Sequence, residues 1–313
     1  MRFRVIPAAL VAAALTLACG VSEREHPNII FVFTDDHAAQ AVGAYGDRLA
    51  ELNPTPNIDR LAREGMLFRN AFVTNGICAP SRAVILTGKH SHLNSVPTNA
   101  ERFDSSQVTF PLLLREAGYE TAIVGKWHLK SDPVGFDYWE VLPGQGHYYN
   151  PDFRTVDGVA RDTGYVTDLI TDKVIEWLET GRSGDRPFML MYQHKAPHRE
   201  WSPGPDHLTL YDDTEIPEPA TLFDDYEGRT SAALTQEMTI AQHQHLGYDS
   251  KVYPNPTPGD DWFSGSIERL RDRMTPQQLT AWDAAYGPKN AAMLDAELEG
   301  DELTRWKYQR YLK

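Results

Sequence analysis

Two adjacent carboxylates, Asp35-Asp36, stand directly behind an apolar run, Asn28-Ile29-Ile30-Phe31-Val32-Phe33-Thr34, with His37 beside them. In a second cluster, Cys78-Ala79-Pro80-Ser81-Arg82, a thiol and a guanidinium lie four residues apart. Gly125-Lys126-Trp127-His128 and Gln193-His194-Lys195-Ala196-Pro197-His198-Arg199 place bases behind two further apolar runs. Together these residue types can supply a nucleophile, proton donors and acceptors, and local positive charge for an anion. Taken singly, each has a plainer reading: a solvated acid pair, a buried structural thiol, a surface ion pair, a satisfied histidine. Papain-like use of Cys78 would need an oriented His–Asn pair, and no local signature for one is present.

Patterning shows which elements must position the clusters. The run 28–34 has the length and β-branching of a buried parallel strand. Thr55-Pro56 opens an amphipathic helix that Gly65 ends. Residues 66–73 form another extended apolar stretch. Pro80 suits a first helical turn and Gly88 a terminator, which puts Cys78 near a helix N-terminus, with Arg82 on the same face. A helix over 110–117 ends at Gly118 before a strand over 119–124, and a helix over 166–178 precedes a strand over 188–192. Such alternation predicts an α/β fold, a mainly parallel sheet sandwiched by helices. All four clusters then fall at strand ends, and in open α/β sheets ligands gather beyond the carboxyl ends of strands. Past Arg199 the pattern weakens into loops rich in Pro and acid over 202–226. Thr275-Pro276-Gln277-Gln278 is a capping-box helix start, and 303–313 reads as helical.

The 313 residues are 24% charged and 41% hydrophobic, which excludes wholesale disorder. With 30 Lys and Arg against 44 Asp and Glu the formal charge is −14, so general attraction to nucleic acid or an anionic membrane is not expected. Any anionic substrate must be drawn in locally. Arg2 and Arg4 precede an apolar run over 5–18 that is too short for an ordinary membrane span and has the form of a secretory signal. Leu15-Thr16-Leu17-Ala18-Cys19-Gly20 resembles a bacterial lipoprotein processing site. We therefore expect a signal peptide over 1–18, a polar linker over 19–27 and a catalytic portion over 28–313. The protein is expected to be exported, periplasmic or an outer-membrane or cell-surface lipoprotein, touching membrane only through a lipid on Cys19.

Cys78-x-Pro80-Ser81-Arg82 followed by Leu86-Thr87-Gly88 resembles the signature of the type I sulfatases. Gly118-Tyr119-x-Thr121-x-x-Val124-Gly125-Lys126-Trp127-His128 is similar to that family's second signature, and Asp35-Asp36 and Ala196-Pro197-His198 match its other N-terminal site segments in order. The resemblance implies an alkaline-phosphatase-like α/β fold. It implies that Cys78 is oxidised to formylglycine by a formylglycine-generating or maturase enzyme. One hydroxyl of the hydrate then attacks sulfur and the other expels sulfate, which serine could not do. It further implies one divalent cation, Ca²⁺, on Asp35, Asp36 and the modified Cys78. Arg82 would hold the hydrate, Lys126 bind sulfate, His128 assist the second hydroxyl, and His198 contact sulfate or protonate the leaving oxygen. Lys195 and Arg199 flank His198 and either read anionic groups on a sugar or are ordinary surface charge.

The segments His194-Lys195-Ala196-Pro197-His198-Arg199-x-Trp201 and Pro217-Glu218-Pro219-Ala220-Thr221-Leu222-Phe223-Asp224-Asp225 resemble bacterial N-acetylglucosamine-6-sulfatases, so a sulfated carbohydrate is the implied substrate. The family pattern breaks after residue 200. Its later metal-binding acid and amide have no counterpart; Asp260-Asp261-Trp262 is the nearest acid pair and lacks a strand before it. The expectation is an N-terminal portion of a longer sulfatase, lacking part of the metal site and the C-terminal subdomain, that need not be active alone. A phosphonate or phosphate-ester hydrolase of the same superfamily and a non-catalytic carbohydrate-binding relic are the alternatives.

Overall fold

The computed structural model describes residues 26–257, 259 and 261–313. The signal-like segment, Cys19, most of the linker and Asp260 lie outside the described residues. β1 (Ile29–Phe33), β2 (Glu120–Lys126), β3 (Tyr138–Leu142), β4 (Asp152–Thr155), β5 (Gly158–Arg161) and β6 (Phe188–Gln193) form one sheet, in the order β1-β6-β2-β3-β4-β5. The first four of that order are parallel, and β4 and β5 turn back antiparallel. Between the strands run α1 (Pro56–Glu64), α2 (Cys78–Thr87), α3 (Ser91–Asn94), α4 (Phe110–Glu116) and α5 (Val166–Glu176). After the sheet come α6 (Ser231–Leu234), α7 (Ile240–His243), α8 (Ser266–Arg273), α9 (Pro276–Asp295) and α10 (Gly300–Leu312). The expected capping box opens α9, with the Thr275 side chain accepting from the Gln278 N–H.

All seven residues of β2 are buried, because a core lies against each face of the sheet. Ala122 and Val124 pack with Leu190 against Val166, Ile170 and Val174 of α5 and Trp282 and Tyr286 of α9. Ile123, Met189 and Met191 point the other way, against Ala79, Ala83 and Leu86 of α2. The two-residue period of a strand feeds both cores at once.

Two expectations change. β1 is not a buried strand: Ile30 and Val32 are 50% and 52% exposed, because β1 pairs only with β6 and nothing among the described residues covers that face. Residues 66–73 form no strand either, and Phe72 is 90% exposed. An apolar run becomes a strand only where a neighbour shares its hydrogen bonds, and none of the described strands lies beside this one. Strands β3 to β5 were not read from the sequence, since they are short and, apart from the end of β3 and Phe153 of β4, half-buried or exposed, without a clean apolar period.

Register brings the polar clusters to one level. Phe33 and Gly125 both pair with Gln193. Beyond the strand ends, the His194 N–H donates to the Phe33 carbonyl at 2.9 Å and the Asp35 N–H to the Ala196 carbonyl at 3.2 Å. Gly125 sits at φ 107°, and a Cβ there would collide with the Gln193 carbonyl oxygen. Glycine is what lets β2 close on β6 and deliver Lys126 beside Asp35.

Candidate active site

Cys78 is the first residue of α2, as its spacing to Pro80 and Gly88 predicts, and Gly88 at φ 65° closes the helix through its N–H to the Val84 carbonyl at 2.8 Å. The helix N-terminus points the half-buried thiol at the ends of β1 and β2. Lys126, fully buried, reaches the same place: its ammonium donates to Asp35 Oδ2 and Gln145 Oε1 and stands 3.9 Å from Cys78 Sγ. Arg82 lies beneath, donating to the Lys126 carbonyl at 2.6 Å and to Gln193 Oε1, with one nitrogen 3.6 Å from Asp35 Oδ1. Its Nε and Nη2 are buried and otherwise without a partner. One ligand atom each from Asp35, Cys78 and His198 lies within 4.8 Å of the other two, and His198 Nε2 is 3.5 Å from Asp36 Oδ2. Asp36 has the left-handed backbone, φ 61°, that turns its half-exposed carboxylate toward His198.

These charges set one another. Burial alone would raise Asp35, but Lys126 and then Arg82 outweigh it and hold the carboxyl below its usual range, so it is ionised. Burial pushes the Cys78 thiol up, against the pull of Lys126, and leaves it protonated at neutral pH. His128 is lowered to about 4, by burial first and then by Lys126 and Arg82, so its imidazole is neutral; its Nδ1 is buried without a partner. His198 is lowered by burial, Lys126 and Lys195. Its Nδ1 faces the Arg199 carbonyl, which can only accept, so Nδ1 carries the proton and Nε2 faces the site.

All seven expected residues, Asp35, Asp36, Cys78, Arg82, Lys126, His128 and His198, therefore gather at one end of the sheet. Gln145 and Gln193 were missed: both ends of the Lys126–Arg82 network rest on neutral amides, which carry no pattern of their own in sequence. Arg199 lines the second cavity but is engaged by a buried acid. It grips Asp249 with two bonds, of 2.7 and 2.6 Å, and holds loop to loop. His90 and His92 are exposed and stack on each other outside the two cavities of the site. One cavity, about 340 Å³, is lined by Asp35, Asp36, Cys78 and Arg82; the other, about 280 Å³, lies beyond His198.

A parallel sheet that brings an acid pair, a helix-start cysteine and buried bases to one end has the arrangement that the resemblance to sulfatases implies. The family model described as Sulfatase matches residues 27–269, and the chain belongs to that family. It is 45% identical over 314 aligned residues to the N-acetylglucosamine-6-O-sulfatase of Bacteroides thetaiotaomicron, covering 97% of this chain and 55% of that protein. To the human N-acetylglucosamine-6-sulfatase it is 30% identical, over 61% of this chain and 38% of that one. The solved structure of BT4656 in complex with its substrate D-glucosamine-2-N,6-O-disulfate superimposes with a TM-score of 0.84 at 45% identity, over 92% of this chain and 58% of that chain. The chain thus spans little more than half the length of the first of these relatives.

Proposed function

We propose that the protein hydrolyses the 6-O-sulfate ester of an N-substituted glucosamine in a sulfated glycan, with formylglycine made from Cys78 as the nucleophile. The meeting of Asp35, Asp36, Cys78, Lys126 and His198, from four distant segments, carries this reading; the 45% identity to a 6-O-sulfatase supplies the sugar. The hydrated aldehyde supplies one hydroxyl to attack sulfur and a second to release it. A thiol held protonated by burial is a poor nucleophile, which favours the oxidised form.

The chain's own side chains divide the remaining work. The Lys126 ammonium, 3.9 Å from Cys78 Sγ, is placed to hold a sulfate oxygen above residue 78. Arg82 keeps below it a buried Nε without a partner and an Nη2 engaged only by the Asp35 ion pair, as donors to an oxygen at that position. Neutral His128 can accept a proton from a hydroxyl at residue 78. His198 can give a proton to the leaving oxygen from Nε2 only when its ring is doubly protonated, and the negative charge of a bound sulfate favours that form. Asp35 and Asp36 would hold a divalent cation that neutralises sulfate charge. Their donor chemistry fits a hard ion, although two carboxylates and one oxygen at residue 78 fall short of the six to eight oxygens Ca²⁺ takes. Export through the 1–18 leader, with or without a lipid on Cys19, and activation by a formylglycine-generating or maturase enzyme belong to the same proposal.

Comparing kcat/KM on 6-sulfated N-acetylglucosamine with that on an aryl phosphonate tests the reading. Faster turnover of the sulfate ester is expected. Preference for the phosphonate would move the protein to another branch of the superfamily.

A further inference from the structure

The cavity beyond His198 is walled by four bases besides the histidines, and three are already engaged. Arg199 holds Asp249, Arg273 holds Asp152 and the Asn150 carbonyl, and Arg269 donates to the Trp262 carbonyl and stacks on its ring at 4.7 Å. Lys195 is different. It is 3% exposed, and its ammonium lies 4.4 Å from the centroid of the Tyr148 ring. It makes no hydrogen bond and no ion pair among the described residues, and Glu200, the acid on the same wall, stays outside ion-pair distance. An ammonium on a nearly buried side chain, with only a ring face for company on the cavity wall, has given up most of its hydration without an anion to replace it. Such a charge is tolerated where a ligand completes it.

His198 lines the second cavity, and its Nε2 lies 3.5 Å from Oδ2 of Asp36, which lines the first. A sugar held by its sulfate over residue 78 would have to pass His198 to enter the space that Lys195 lines. We infer that Lys195 is a specificity-determining residue that binds an anionic substituent of the departing sugar other than the sulfate being cleaved. This rests on the sulfatase reading above. Either a second sulfate on the same ring or the carboxylate of a neighbouring uronic acid could present that anion.

The test is binding by titration calorimetry to the protein and to Lys195→Gln and Lys195→Arg. The ligands are N-acetylglucosamine 6-sulfate, glucosamine 2-N,6-O-disulfate, and a disaccharide joining N-acetylglucosamine 6-sulfate to a uronic acid. One of the two doubly anionic ligands should bind about tenfold more tightly than the singly charged one, a preference of about 1.4 kcal/mol. That ratio should collapse in Lys195→Gln and survive largely in Lys195→Arg. If the disulfate gains, the anion is on the same ring; if the uronate gains, it is on the neighbour. Equal affinity for all three ligands in the unaltered protein overturns the inference without needing either variant to fold, as does a ratio that Lys195→Gln leaves intact. Binding of none of the three overturns the sulfatase reading and this inference with it.

Discussion

Lys126 bears charge in a place no water reaches, and it does so because Asp35 is ionised beside it. Removing one partner of such a pair strands the other, which costs about 3–5 kcal/mol, whereas removing both is often nearly neutral. Lys126→Met should therefore lose both stability and activity, and Lys126→Met combined with Asp35→Asn should recover most of the stability but none of the activity. Urea denaturation and sulfate release on the unaltered protein and these two variants check this. A double variant as unstable as the single one would show that the pair is not what holds Lys126 in place. The buried histidines give a second expectation. His194 is lowered to about 4 by burial alone, and its Nδ1 has no partner. The unfolded chain therefore binds the proton first, near the ordinary pKa of about 6.5. The stability His194 contributes by staying neutral is present above that pH and is lost as pH falls from 6.5 toward 4. His194→Phe should flatten this limb of a plot of urea midpoint against pH, and an unchanged limb would mean the ring is protonated in the fold.

β2 is the element on which the site depends, since it feeds both cores and ends in Lys126. Gly125→Ala would force a Cβ against the Gln193 carbonyl at a φ that only glycine adopts freely, adding about 1–2 kcal/mol of backbone cost to about 1–3 kcal/mol of overpacking. A loss of about 2–5 kcal/mol in chemical denaturation is expected, with activity lost even in the fraction that folds, because Lys126 and Gln193 move together. Much of this was legible in sequence. Strands that carry unbroken apolar runs, and helices bounded by Pro and Gly, declare their limits and put Asp35, Cys78, Lys126 and His198 near element ends, while the resemblance to the sulfatase signatures singles those residues out. What was hidden depends on partners rather than pattern. β1 reads as buried because its residues are apolar, yet burial needs a cover that composition does not supply. Residues 66–73 read as extended, yet a strand needs a neighbour. Gln145 and Gln193 look like any polar residue until Lys126 and Arg82 meet them. Lys195 and Arg199 are alike in sequence, and only Asp249, fifty residues on from Arg199, separates their roles.

Across the whole molecule a chain of net charge −14 holds an anion site by keeping its attraction local. Arg82, Lys126 and Lys195 are all buried at one end of the sheet, where each acts through little solvent, and the acidic surface adds no long-range pull. Ile30, Val32, Phe68 and Phe72 stay exposed, and the chain matches 55% of the length of the Bacteroides relative. The most direct measurement is peptide mass spectrometry across Cys78 in protein made by its own host, run on the same samples as sulfate release from 6-sulfated N-acetylglucosamine. Formylglycine at residue 78, in proportion to the activity of each sample, is the predicted result. Undiminished sulfate release from protein whose residue 78 is wholly unmodified cysteine would contradict it.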